Sequence, residues 1–440
     1  MKTFLSLLLP MVAGAAAAFA APTDLELRVA PERDYLYKRG PREVVVQIEL
    51  DGRRPERGRR APMNLSVVLD RSGSMAGAKI EKARQAAGVA VDQLADDDIF
   101  SLVTFDNATE VLIAPERVGG LRQREALKER IDRIRPGGGT AIHAGVTLGA
   151  QQLRRFLDQE RVNRIVLLSD GLANVGPSRP GDLARLGGEL RWEGMSVTTI
   201  GLGDDYNEDL MAALAEASQA NYYYVRDAEK LPGIFSEELG AARSVIARRV
   251  TIRITVPEGV RIREIIGRPE IECGGRSVEI SLPEYFGGEK RRFLARCETE
   301  RATDAPLEVA LVELRYENDS GQAAPQQQSA RIEFTDDEKK ADESGRGDVG
   351  RNVAVTKNRL AKELAVKLAD EGRSKDAADV LRKQAAANAA LPAPMQAPGA
   401  VAENRKLEEA AQEVESKGSF GKSSRKQIQF ENWQDKYQKR

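Results

Sequence analysis

Histidine is almost absent from this 440-residue chain, and cysteine is scarce: His143 stands alone, and Cys273 and Cys297 are the only thiols. One imidazole excludes a multi-histidine zinc site and argues against a Ser-His-Asp triad. Two cysteines exclude a cysteine-built metal cluster within one chain. An excess of charge of either sign is missing too. Lys and Arg number 67 against 68 Asp and Glu, a net charge of -1, so no strong field draws the chain to nucleic acid or to an anionic membrane. The locally basic run Arg53 to Arg60 contains Pro and Gly and reads as a solvated loop. No Gly-x4-Gly-Lys-[Ser/Thr] phosphate loop and no tandem repeat occur. Beyond the N-terminus no stretch is long and apolar enough to span a bilayer.

The hydrophobic share of 41% and charged share of 31% fit a soluble globular protein with some polar stretches. The length exceeds one ordinary core, so two or three domains are expected. Residues 1–20 have the form of an export leader. Lys2 opens it, Phe4 to Gly14 is apolar, and Ala18-Phe19-Ala20 gives the small-x-small pattern of a cleavage site. An uncleaved anchor is the alternative. The mature chain is therefore expected to be periplasmic or secreted, with no transmembrane segment. In such a compartment Cys273 and Cys297 are expected to pair as a disulfide, the alternative being two reduced, buried thiols.

Periodicity divides the rest. In residues 22–60 Leu25, Leu27 and Val29, then Val44, Val46, Ile48 and Leu50, alternate with polar residues as in half-buried strands. Over 62–240 the pattern changes. Asn64 to Asp70 and Arg164 to Asp170 are short apolar runs, as in strands buried on both faces. Ile99–Phe105, Ser196–Leu202 and Tyr222–Val225 read as further strands, with helical stretches between them. This alternation predicts an α/β domain with a mainly parallel sheet. Over 245–335 the period returns to two, as in Val250, Ile252, Ile254 and Val256, which predicts an antiparallel β-sandwich. The N-terminal strands have no partner sheet of their own, so they are expected to pair with this sandwich, leaving the α/β domain as an insertion. Residues 336–350 read as a charged loop, in which Arg346-Gly347-Asp348 is taken as a chance match to an adhesion tripeptide. Residues 350–390 read as a helical hairpin with Leu360, Leu364 and Leu368 on one face. Residues 391–440 read as a Pro/Ala linker, a short helix and a polar tail carrying Phe430, Trp433 and Tyr437.

The chemistry concentrates where the buried strands end. Asp70-Arg71-Ser72-Gly73-Ser74 closes the first, Ser169-Asp170-Gly171 closes the second, and Gly137-Gly138-Gly139-Thr140 leads into a helix. In an open parallel sheet, ligands bind beyond the carboxyl ends of the strands. Carboxylates and hydroxyls in that position make a hard-oxygen set suited to Mg²⁺, with Mn²⁺ or Ca²⁺ as alternatives. Asp106 and Asn107 near the same edge read as a simple turn, or as support for the rim. His143 reads as a packing or surface residue, and Tyr222-Tyr223-Tyr224 as strand and core filling.

Asp-x-Ser-x-Ser followed by a Thr and then an Asp resembles the metal-ion-dependent adhesion site of the von Willebrand factor type A family. The resemblance covers about 62–240 and places Asp70, Ser72, Ser74, Thr140 and Asp170 as the metal site. It implies that the two serines touch the ion, that the aspartates act through water, and that one position is left for a partner's carboxylate. The flanking strands and Asp170 to Gly176 are similar, more loosely, to exported bacterial members and inter-alpha-trypsin inhibitor heavy chains. The expectation is a non-enzymatic, extracytoplasmic binding protein for a protein ligand bearing an acidic residue. One alternative is a scaffold whose metal only stabilises the fold. A phosphatase-like hydrolase is the remote one, because Ser72 stands where such an enzyme needs a second acid.

Overall fold

A computed structural model describes residues 24–437 apart from 54–60, 159, 243–244, 319, 393–394 and 397–399. The leader-like segment and all but Arg53 of the basic run lie outside the described residues.

Three strands open the described chain: β1 (Leu25–Pro31), β2 (Tyr35–Tyr37) and β3 (Glu43–Gly52). The α/β unit follows as β4 (Met63–Asp70), α1 (Ala78–Gln93), β5 (Ile99–Phe105), β6 (Thr109–Arg117), α2 (Leu121–Ile131), α3 (Ile142–Arg154), β7 (Val162–Ser169), α4 (Pro180–Trp192), β8 (Met195–Leu202), α5 (Glu208–Ala217), β9 (Tyr222–Val225) and α6 (Leu231–Ala242). Its sheet runs β6-β5-β4-β7-β8-β9, parallel except for β6. Every residue of β4 and β7 is buried, the burial expected of strands covered on both faces. From β4 the chain moves to β5 on one side and later to β7 on the other, so the order reverses at β4. The crevice at such a reversal is where ligands of open α/β sheets bind.

Helix α3 lies close against β4 because Gly149 has no side chain. A Cβ there would stand 2.5 Å from Val68 Cγ2 and 3.3 Å from Ser66 Oγ. Gly149→Ala is therefore expected to cost about 1–3 kcal/mol through overpacking, read as a lowered Tm. An unchanged Tm would mean that α3 shifts freely on the sheet.

The remaining strands are β10 (Val245–Thr255), β11 (Val260–Ile265), β12 (Ser277–Phe286), β13 (Lys290–Thr299), β14 (Leu307–Asn318), β15 (Gly321–Gln322) and β16 (Gln326–Thr335). They form two sheets, β1-β3-β13-β11 and β12-β10-β14-β16-β2. The N-terminal strands thus join both layers: β3 pairs antiparallel with β13, and β2 pairs parallel with β16. Leu27, Val46, Ile48 and Leu50 share one core with Val250, Ile252, Ile254 and Phe293. The α/β unit is inserted between β3 and β10.

Helices α7 (Glu338–Glu343), α8 (Gly347–Asp370), α9 (Ser374–Ala389), α10 (Ala400–Lys417) and α11 (Lys422–Tyr437) complete the chain. Here the structure departs from the sequence reading. The stretch 336–350 is not all loop. Asp337 caps α7 by accepting the Lys340 N–H at 3.1 Å, and α8 begins at Gly347. Arg346 of the tripeptide pairs with Asp34 at 2.6 Å. The polar tail is a helix, α11, whose aromatic face packs on the α/β unit. Cys273 and Cys297 are both free thiols, so the expected disulfide is not formed in this structure. Cys297 sits in the sandwich core, where burial and then the neighbouring Cys273 push its thiol up to about 12. Its thiolate is thereby suppressed, and thiolate is the form that exchanges. Among the described residues no helix is long and apolar enough to cross a membrane.

Candidate metal centre

The end of β4 turns sharply into a single 3₁₀ turn, Gly73–Met75, before α1. Asp70 is fully buried at the last position of β4. One of its carboxylate oxygens accepts the Ser72 N–H at 2.7 Å, and the other accepts the Ser169 hydroxyl. Burial is the larger influence and pushes this carboxyl up to about 6, opposed by the Ser169 and Ser72 bonds and reinforced by the nearby negative Asp170. A buried carboxylate held this way is short of positive charge.

The other sequence-predicted residues come to the same place. The Ser72 and Ser74 hydroxyls are 3.0 Å apart, and Ser74 donates to Asp170 Oδ1 at 2.7 Å. Asp170, just past β7, is buried, and its second oxygen accepts the ammonium of Lys79. Thr140 is buried at the foot of α3. A Cβ built on Gly171 would lie 2.8 Å from its hydroxyl, so the third loop closes directly over the first two. All five predicted side chains therefore meet at the C-terminal end of β4, beside the reversal of strand order.

The glycine loop needs its missing side chains. It is threaded between asparagines, and a Cβ on Gly139 would lie 2.5 Å from Asn107 Oδ1 and 3.0 Å from Asn174 Oδ1. Those same oxygens accept the Gly139 and Thr140 N–H groups, each at 2.8 Å. Gly73 N–H bonds Gly138 O at 3.0 Å, and Gly137 N–H bonds Arg71 O at 2.6 Å, which ties the first loop to the second. Asp106 makes the expected turn by accepting the Ala108 N–H at 2.9 Å, and its backbone carbonyl also takes the Ala141 N–H at 3.0 Å. The Ala108 N–H and then the Arg71 guanidinium hold its carboxyl below the usual range, against its burial. Arg71 points away from the site, paired with Asp106 at 3.0 Å and Glu110 at 2.8 Å.

Three participants were missed as such: Ser169 and Asn174, which position the loops, and Lys79, which contacts a site carboxylate. Asn107, read as a simple turn or as support for the rim, supports the glycine loop. Ser169 and Asn174 stand inside quoted motif stretches, but nothing in their spacing assigns them a partner. His143 is half-buried on α3, and its carbonyl accepts the Thr147 hydroxyl at 2.8 Å.

The donor set fits a hard divalent cation. Every side-chain donor is oxygen, two are carboxylates and three are hydroxyls, which is few charges for a dedicated all-protein cage and suits an ion that keeps water. Among the described residues no group of three His, Cys, Asp or Glu side chains is gathered to hold a metal. An ion here would rest on Ser72, Ser74 and Thr140, with Asp70 and Asp170 supplying the charge.

The family model for the von Willebrand factor type A domain matches residues 64–237. This segment is a von Willebrand factor type A (VWA) domain. The chain is 31% identical over 210 residues to the uncharacterised protein sll0103 of Synechocystis, covering 48% of this chain and 47% of that one. It is 27% identical over 163 residues to an inter-alpha-trypsin inhibitor heavy chain of Mus musculus, covering 36% of this chain and 17% of the relative. The matches thus span about half or less of those relatives' length. A solved von Willebrand factor type A protein from Catenulispora acidiphila shares the fold across 94% of this chain and 97% of its own, with a TM-score of 0.69 and 19% identity. The common fold includes the sandwich and helices around the VWA domain. VWA domains commonly mediate protein–protein interaction and are generally binding modules rather than enzymes.

Proposed function

We propose that this chain is an extracytoplasmic binding protein whose VWA domain holds a divalent cation and through it captures an acidic side chain of a partner protein. Mg²⁺ is the ion the donor set favours, with Mn²⁺ and Ca²⁺ as alternatives. The reading is carried by one observation: Asp70, Ser72, Ser74, Thr140 and Asp170 converge from three loops on the crevice where the strand order reverses. Two carboxylates and three hydroxyls leave a bound divalent ion incompletely satisfied, which gives a partner's carboxylate a reason to bind. The export-like N-terminal sequence supports placement in the periplasm or outside the cell.

Calorimetric titration of the chain with Mg²⁺ and Mn²⁺, beside Asp70→Ala, tests the site. Saturable uptake by the natural protein is expected, with at least about 100-fold weaker binding in Asp70→Ala, whose circular dichroism should stay native. Absence of uptake by the natural protein would sink the reading and favour a scaffold that binds through its sandwich and helices.

A further inference from the structure

Every carboxylate oxygen of the candidate centre already has a partner inside the chain. Asp70 accepts from Ser72 and Ser169, while Asp170 accepts from Ser74 and from Lys79. Lys79 is the exception in kind, because it brings a full positive charge. It stands in the first turn of α1, two residues past Gly77, with its side chain 34% exposed and the Asp170 side chain fully buried. Arg71, the other cation on these loops, is committed to Asp106 and Glu110.

We infer that Lys79 is a built-in counter-ion of the site: it occupies Asp170 until a divalent cation displaces it, and it sets the charge that the loaded site presents to a partner. This rests on the proposed cation site. The charge count is simple. Asp70 and Asp170 contribute two negative charges and Lys79 returns one positive, so the ion-free site carries one negative charge. A divalent ion turns that into one net positive charge, which a single carboxylate neutralises. Without Lys79 the loaded site would be neutral and would lose that attraction. The same ammonium therefore weakens cation uptake and strengthens carboxylate capture.

The displaced ammonium has a place to go. Its Nζ lies 3.8 Å from the Cβ position of Gly203, where the chain leaves β8 for the loop carrying Asp204 and Asp205. Asp205 is exposed and paired with Lys422 at 3.0 Å, and Lys79 also acts on it electrostatically. Asp204 accepts the Tyr224 hydroxyl. A swing of Lys79 from Asp170 toward this acidic loop keeps its charge near the site while vacating the carboxylate.

The test uses the full chain and its Lys79→Met and Lys79→Arg variants. Mn²⁺ uptake is followed by the paramagnetic resonance of the free ion. Acetate binding to the Mn²⁺-loaded protein is followed by water proton relaxation. Lys79→Met is expected to take up Mn²⁺ at least about ten-fold more tightly and to bind acetate at least about three-fold more weakly, while Lys79→Arg stays close to the natural protein in both. The inference stands only if the two readouts move in these opposite directions. Equal or weaker Mn²⁺ uptake by Lys79→Met, undiminished acetate binding, or Lys79→Arg behaving like Lys79→Met would each overturn it while leaving the cation site intact. If neither the natural protein nor Lys79→Met takes up Mn²⁺, the cation site itself fails and the inference falls with it.

Discussion

Glu238→Ala is expected to lower the stability of the VWA domain by about 3–5 kcal/mol, measured as a fall in the urea midpoint followed by circular dichroism. Glu238 lies on α6 with its side chain fully buried, and its partner Arg164 on β7 is 4% exposed. The carboxylate gathers the ends of three strands. One oxygen accepts from Arg164 and, at 2.7 Å, from Thr198 on β8; the other accepts from Asn221 and, at 3.0 Å, from the Tyr223 hydroxyl on β9. Removing it takes away the carboxylate paired directly with the Arg164 guanidinium, leaving it Ser196 Oγ at 3.2 Å, the Phe286 ring with its centroid 5.9 Å away and the electrostatic influence of Glu284. The destabilisation comes mainly from that buried charge, which then lacks a direct ion-pair partner. The double variant Arg164→Met with Glu238→Leu should therefore recover much of the loss. A loss below about 1 kcal/mol in Glu238→Ala would show that water reaches Arg164 and that the pair is not effectively buried. The network sits where β7 and β8 begin, at the opposite edge of the sheet from Asp70 and Asp170. Glu238→Ala protein that is still folded should thus bind Mg²⁺ like the natural chain, which separates a fold defect from a site defect.

That opposition explains what was legible in the sequence. Asp70 and Asp170 terminate apolar runs, so their place at the ends of buried strands follows from chain order alone. Ser72, Ser74 and Thr140 are legible because short loops leave them little freedom to be elsewhere. Lys79 was not legible, because a lysine in the first turn of a polar-faced helix looks like any solvated charge until the turn at Gly77 aims it at Asp170. Asn174 escaped, and Asn107 was legible only as a turn or as support for the rim, for a related reason. Their partners are backbone N–H groups of a glycine loop far away in sequence, and backbone leaves no pattern to read. Strand β6 was missed although Val111 and Ile113 alternate in it, since it is the antiparallel edge of a sheet expected to be mainly parallel. The layout of the sandwich was legible because β1 and β3 alternate with period two yet lack partners nearby in sequence. Helix α11 shows the opposite weighting. Phe430, Trp433 and Tyr437 fall three and four residues apart, the spacing of a helical face, but the polar composition around them outweighed it.

The same aromatic face makes Trp433 the second position of large effect. It is 6% exposed, packs edge-on against Tyr222 of β9 with ring centroids 6.5 Å apart, and lies 4.9 Å from Tyr437. Phe430 meets the same tyrosine edge-on at 6.1 Å. Charged pairs flank this contact. Lys426 and Glu208 form a nearly buried pair at 2.7 Å, and Arg425 bridges Asp209 at 2.8 Å and Asp370 of α8 at 2.7 Å. Arg268, in the loop after β11, donates to Lys436 O at 2.9 Å. One helix therefore ties the VWA domain to the sandwich and to the helical layer. Trp433→Ala should cost about 3–5 kcal/mol of the docking and packing free energy, because the cavity opens beside the buried Tyr222, leaving Phe430 as the aromatic of α11 still packed on that ring. The chain supplies its own reporter. Its two tryptophans are Trp192, 93% exposed, and Trp433, so a Trp192→Phe protein emits from Trp433 alone. That emission should be blue-shifted in the native state. On urea titration its shift to the red should coincide with the loss of VWA-domain structure seen by circular dichroism. If the emission reddens well before that transition, α11 releases independently and its aromatic face is a detachable cover rather than part of the domain's core.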